Sequence, residues 1–146
     1  MKVFGLTSAS RVLDVGFTDH EYVPHENYLE KHYPWPEQLT ALGVDEPMEC
    51  LQRYPKVSFV RYDGWLFPFE DRQFDVAHSN AVLEHVGGRE RQSRFVREML
   101  RVARCVWLTT PSRAFPIDVH TLIPFAHWFP ARVRDTVYAG LRKSWA

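Results

Sequence analysis

Apolar residues along the first three quarters of the chain fall into short, dense runs separated by polar turns. Residues 11–16 hold Val12, Leu13 and Val15 around a single acid and end on Gly16. A run apolar on both sides is what a central strand of a parallel sheet looks like, because both of its faces are covered. Residues 38–45, 56–62, 74–79 and 105–110 repeat the form, each rich in β-branched or aromatic residues and bounded by Gly, Asp, Ser or Pro. Helical stretches are predicted between them. One falls near residues 27–32, and another starts at Glu46-Pro47, with Pro in its first turn, and runs through Leu51 to about Tyr54 before Pro55. A third follows Gly87-Gly88. At 100° per residue, Arg94, Arg97, Arg101 and Arg104 share one face of it, with Phe95, Val96, Met99 and Val102 opposite. Five strands alternating with helices predict βαβ units, right-handed crossovers and an α/β fold.

After Pro111 the pattern changes. Residues 112–146 begin as a loop dense in proline and aromatics, which excludes a regular strand or a long helix, and a helical pattern resumes from Arg132. No pair of strands suited to a closing hairpin is visible there, so either the chain is a truncated member of its class or the sheet ends at five strands. Residues 1–146 are expected to form a single domain that includes this aromatic and C-terminal helical segment.

Composition narrows the class. With 146 residues, 45% hydrophobic and 25% charged, the chain is of ordinary globular make-up and long enough to bury a core. Two separated cysteines, Cys50 and Cys105, are no disulfide framework and are expected to be buried thiols. No apolar run approaches the roughly 20 residues that span a bilayer, and no signal-peptide layout opens the chain, so a cytoplasmic setting is expected. Net charge is zero but uneven: residues 1–75 carry 7 Lys+Arg against 13 Asp+Glu, residues 76–146 carry 11 against 5. Most of the basic excess lies on the arginine stripe, which reads as a solvated helix face, with an anionic partner as the alternative. The lack of net positive charge counts against nucleic acid.

In open α/β sheets, ligands gather beyond the carboxyl ends of the strands. Residues 60–86 present two such polar ends, Asp63-Gly64 and Ser79-Asn80, with an aromatic loop between them. These residues carry a resemblance. Asp63-Gly64, Pro68-Phe69, Asp71, Phe74-Asp75-Val76, Ser79-Asn80 and Val82 through His85 closely resemble the pattern of class I S-adenosylmethionine-dependent methyltransferases. Val12 through Gly16 is similar to that family's first motif, and Leu42-Gly43-Val44-Asp45 to its second acidic strand end.

The resemblance implies a Rossmann-like, doubly wound, mostly parallel sheet in the order 3-2-1-4-5, with the usual closing antiparallel hairpin missing. It implies S-adenosylmethionine as methyl donor and a small-molecule or cell-envelope-precursor acceptor. Asp45 would accept the ribose hydroxyls, and Asp63 and Gly64 would meet the adenine edge. Asp14 and Gly16 would serve the methionine end, and Ser79 and Asn80 would face both donor and acceptor. Local readings stand beside these: a helix-start acid for Asp45, a plain turn for Asp63-Gly64, a buried structural acid for Asp14. Trp65 and Pro68-Phe69 would wall the adenine pocket, unless Trp65 packs in the core. The first motif departs from the family at Phe17-Thr18-Asp19-His20, where further glycines are usual, and weak donor binding follows.

Methyl transfer is an in-line displacement, accelerated mainly by positioning, with a general base only where the acceptor loses a proton. His85 and His120 are the catalytic candidates, with Glu84 and Asp118 behind them. The spacing of the seven histidines matches no zinc site, so no metal is expected. Two functions are therefore carried forward: an active methyltransferase, and a non-catalytic member acting as a binding or scaffold subunit. A homodimer through an open sheet edge is a further expectation.

Overall fold

The structure, a computed structural model, describes residues 5–111. Five strands, β1 (Val12–Val15), β2 (Leu39–Gly43), β3 (Ser58–Arg61), β4 (Phe74–Asn80) and β5 (Ala103–Thr109), form one sheet in the order β3-β2-β1-β4-β5. Every pairing is parallel. Helix α1 (Tyr28–His32) lies between β1 and β2, α2 (Met48–Arg53) between β2 and β3, and α3 (Arg89–Val102) between β4 and β5. The sheet and its order are those expected of a Rossmann-like fold.

Register decides which side chains share a face. Leu13 aligns with Ala77 and Ala77 with Val106; one residue on, Asp14 aligns with His78 and His78 with Trp107. Strand side chains alternate, so Leu13, Val15, Leu42 and Ala77 lie together and pack on Phe95, Met99 and Val102 of α3. Val12, Leu39 and Ala41 turn the other way and meet Phe17, Tyr33, Cys50 and Val57. All four residues of β1 are buried, Asp14 with its three apolar neighbours, as suits a central strand covered on both faces.

Several expectations need correction. Cys50 is buried, but Cys105 is exposed, because no described helix covers its face of β5. α3 ends at Val102 and the chain enters β5 without a loop, so Arg104 belongs to the strand rather than to the arginine stripe. Arg101 is not on a solvated face. It bonds both oxygens of Glu98, the carbonyls of Phe67 and Phe69, and Asp71, pinning the β3–β4 connection to α3. After β4 the chain forms a single 3₁₀ turn, Leu83–His85, before α3.

Residues 112–146, and with them the aromatic loop, the question of a closing hairpin and His120, lie outside the described residues. Among the described residues no helix is long and apolar enough to cross a membrane.

Candidate functional site

The carboxyl ends of β2 and β3 lie side by side. The Tyr62 N–H donates to the Gly43 carbonyl at 2.9 Å, which keeps the two strands paired to their tips. Beyond them stand Asp45 and Asp63, both exposed. Oδ1 of Asp63 accepts the backbone N–H groups of Trp65 at 2.8 Å and Leu66 at 3.4 Å, a local aspartate turn that leaves Oδ2 without a partner among the described residues. Gly64 has φ +79° and only ordinary van der Waals space around a notional Cβ, so glycine is needed here for conformation rather than room.

The end of β1 is built differently. The Gly16 N–H donates to the Leu42 carbonyl at 2.7 Å, and φ is +115°. A Cβ at Gly16 would lie 2.2 Å from Cγ2 of Val82, so Val82 already fills the space above this glycine. The next residues are tied inward. Phe17 is buried, edge-on to Phe59 at 5.1 Å. The Asn27 side chain accepts the Thr18 N–H at 3.1 Å and donates to the Thr18 carbonyl at 2.8 Å. Oδ1 of Asp19 accepts the N–H groups of Glu49 and Cys50 at 2.8 and 2.9 Å. These are orphan donors in the first turn of α2, whose own N-cap position is Pro47 and offers no side-chain acceptor. The Cys50 N–H bond is the main cause holding the Asp19 carboxyl below its ordinary range. This remote cap has no sequence signal, because 30 residues separate Asp19 from Glu49.

At the tip of β4 the two predicted residues part company. Ser79 is fully buried and donates to the Val15 carbonyl at 2.9 Å, while Asn80 is exposed and accepts a hydrogen bond from the Thr109 hydroxyl. Ala81 follows with φ +56°, its N–H bonded to the Thr109 carbonyl at 3.0 Å. His85 is exposed in the 3₁₀ turn, and Glu84 accepts from the Thr110 hydroxyl at 2.9 Å.

Asp14 lies one step below these tips and is nearly buried. His78 Nδ1 approaches its Oδ1 at 2.6 Å. On its other side is Glu30 of α1, 5% exposed, with both oxygens buried and without a hydrogen-bond donor. Burial first, and then the Asp14 charge, push the Glu30 carboxyl up to about 8. Glu30 therefore holds a proton at neutral pH, in the field of the Asp14 charge. Sequence reading passed over both His78 and Glu30: Glu30 sits among polar neighbours in Tyr28–His32, and only packing turns it inward. Among the described residues no group of three His, Cys, Asp or Glu is placed to hold a metal ion.

Measured against S-adenosylmethionine, these residues fit unevenly. A donor held as the resemblance implies would set its nucleoside half against two exposed carboxylates and an open glycine at adjacent strand ends. Its methionine half would meet Val82 over Gly16, a loop already tied to α2, and an Asp14 already paired.

Comparison with known proteins places the chain. The profile of a family described as a methyltransferase domain matches residues 13–105. No curated protein matches the sequence. Among solved structures, a SAM-dependent methyltransferase from Aquifex aeolicus is similar over 97% of this chain and 76% of its own, with 20% identity and a TM-score of 0.53. A putative methyltransferase from Bacillus halodurans C-125 aligns with 70% of this chain at 17% identity and a TM-score of 0.49. The YcgJ protein of Bacillus subtilis aligns with 68% at 18% identity and a TM-score of 0.49. The chain spans 43% of the length of each of these last two. At such identities the Aquifex likeness speaks for the fold.

Proposed function

Since the chain belongs to the methyltransferase-domain family, matched over residues 13–105, we propose that it transfers the methyl group of S-adenosylmethionine to a small-molecule or cell-envelope-precursor acceptor. The observation that carries this reading is the pair of exposed acids, Asp45 and Asp63, beyond the neighbouring strands β2 and β3, with Gly64 in a left-handed turn beside them. A carboxylate in the position of Asp45 can accept two ribose hydroxyls, the logic used by dinucleotide folds. The unpartnered oxygen of Asp63 and the backbone at Gly64 suit an adenine edge.

When bound, the donor supplies a methyl group on a positively charged sulfur. The protein's part is to orient and to exclude water. Asn80, exposed at the tip of β4, and His85, exposed in the turn beyond it, are the described polar groups on the acceptor side. His85 is the described candidate base; His120 shares that assignment from sequence alone. The proposal places the reaction in the cytoplasm and leaves room for a second copy at a sheet edge.

A second reading is favoured by one observation. With Val82 over Gly16 and Asp19 engaged by α2, the methionine end is closed, as suits a non-catalytic subunit. Calorimetric titration of the whole chain with S-adenosylmethionine and its demethylated product separates the two. Methyl transfer requires saturable heats, with a dissociation constant of tens of micromolar, roughly −6 kcal/mol. No heat with either ligand leaves the scaffold reading.

A further inference from the structure

Trp65, immediately after the Asp63-Gly64 turn, lies under two guanidinium groups of α3. Arg94 Cζ is 4.0 Å from its ring centroid and Arg91 Cζ 5.7 Å. One cation over an indole is favourable. Two on the same ring repel each other unless something negative lies near.

No described carboxylate forms an ion pair with Arg89, Arg91, Arg94 or Arg97. Glu98, one turn along from Arg94, is taken by Arg101 and by the Phe67 N–H. The Arg94 Nε–H is buried and has no acceptor among the described residues, an uncommon condition for a buried donor. Arg89 and Arg91 also stand in the first turn of α3, at the positive end of its dipole, where cations are disfavoured. Glu98 acts on Arg94 electrostatically but does not bond it, so an oxyanion against the exposed edges of the two guanidinium groups would offset their repulsion. A guanidinium held over a ring face can still offer an N–H edge to a planar or tetrahedral oxyanion.

We propose that Trp65, Arg91 and Arg94 form a binding site for a phosphate monoester. A phosphate monoester near pH 7 carries close to two negative charges and three strong acceptor oxygens, which matches two guanidinium groups better than a single carboxylate does. The recess between Tyr62, Trp65, Phe67 and the two arginines also includes Gly64, so it borders the strand-end site. If the methyl-transfer reading holds, the phosphate belongs to the acceptor, and the deeper claim rests on that reading.

The test is a titration of the ¹⁵N-labelled whole chain with inorganic phosphate at constant ionic strength, following the Trp65 indole N–H and the Arg94 Nε–H by NMR. The expected result is saturable shifts at both groups. Arg94→Gln and Arg91→Gln should each weaken phosphate binding by roughly tenfold, the scale of one charge-assisted bond, and Arg97→Gln should leave it unchanged. Shifts that rise linearly, or that Arg97→Gln reduces equally, mean an adventitious ion only and overturn the site.

Vesicles containing phosphatidic acid distinguish the source. Co-sedimentation lost in Arg94→Gln assigns the phosphate to a lipid, and its absence with retained phosphate shifts assigns a soluble ester. A single-stranded oligonucleotide bound more tightly than phosphate, and equally by Arg94→Gln, would instead make the arginine stripe a nucleic-acid face. Heats with S-adenosylmethionine are measured in parallel. Phosphate shifts without such heats leave the site standing while methyl transfer falls; heats without phosphate shifts do the reverse.

Discussion

Replacing Glu30 by Gln should make the protein more stable at neutral pH, although a buried charged-type side chain is being altered. Glu30 is 5% exposed and lies in the field of Asp14, which is itself bonded to His78, and of Glu21. In the folded chain it keeps its proton up to about 8, against 4.5 for the ordinary group. Between those values the unfolded chain binds fewer protons than the folded one, so stability falls as pH rises through the window and levels off above it. From 4.5 to pH 7 the difference is about 3 kcal/mol at 1.36 kcal/mol for each unit. Gln keeps the shape and is uncharged at every pH, so this pH dependence disappears. The variant should therefore match the wild type near pH 4.5 and exceed it by about 3 kcal/mol at pH 7, a rise of roughly 10 °C in melting temperature. Urea unfolding followed by circular dichroism at intervals from pH 4.5 to 8.5 measures this directly. Parallel profiles for the two proteins would refute the buried-proton argument.

Asp45→Ala should abolish the calorimetric heat of S-adenosylmethionine while changing stability by no more than about 0.5 kcal/mol, as Asp45 is exposed and its bond from the Asp19 N–H is long, at 3.5 Å; unchanged heats would remove Asp45 from the site. Val82→Ala should uncover Gly16 and tighten donor binding on the order of tenfold; an unchanged dissociation constant would show that Val82 does not close the methionine end. Ser79→Ala should leave the Val15 carbonyl without its donor and cost about 1–3 kcal/mol in urea unfolding, with donor binding unaffected, since the hydroxyl faces the core. Gly16→Ala should lower the melting temperature sharply, because φ +115° and a 2.2 Å approach to Val82 both oppose a Cβ; a wild-type melt would contradict the close packing.

Local pattern alone determined where the strands lie and that helices separate them. Apolar runs, their closing Gly, Asp and Ser residues, and the prolines before α2 and after it depend only on neighbours in the chain, so they are legible without a fold. The strand ends carrying Asp45, Asp63-Gly64 and Asn80 were visible for the same reason, and the resemblance they carry supplied the strand order. Alternation would also have turned Ser79 inward, two residues after buried Ala77, had the period been followed to the tip of β4. What the tertiary structure decided rests on contacts between distant segments. Asp19 caps α2 from 30 residues away, Val82 closes Gly16 from beyond the neighbouring strand β4, and Arg101 fastens the β3–β4 connection instead of facing water. Glu30 becomes a proton-holding neighbour of Asp14 only when α1 lies on the sheet. In each case the side chain's chemistry was present in the sequence, but its partner, burial and charge state were set by the packing of β1, β2 and β4 against their helices.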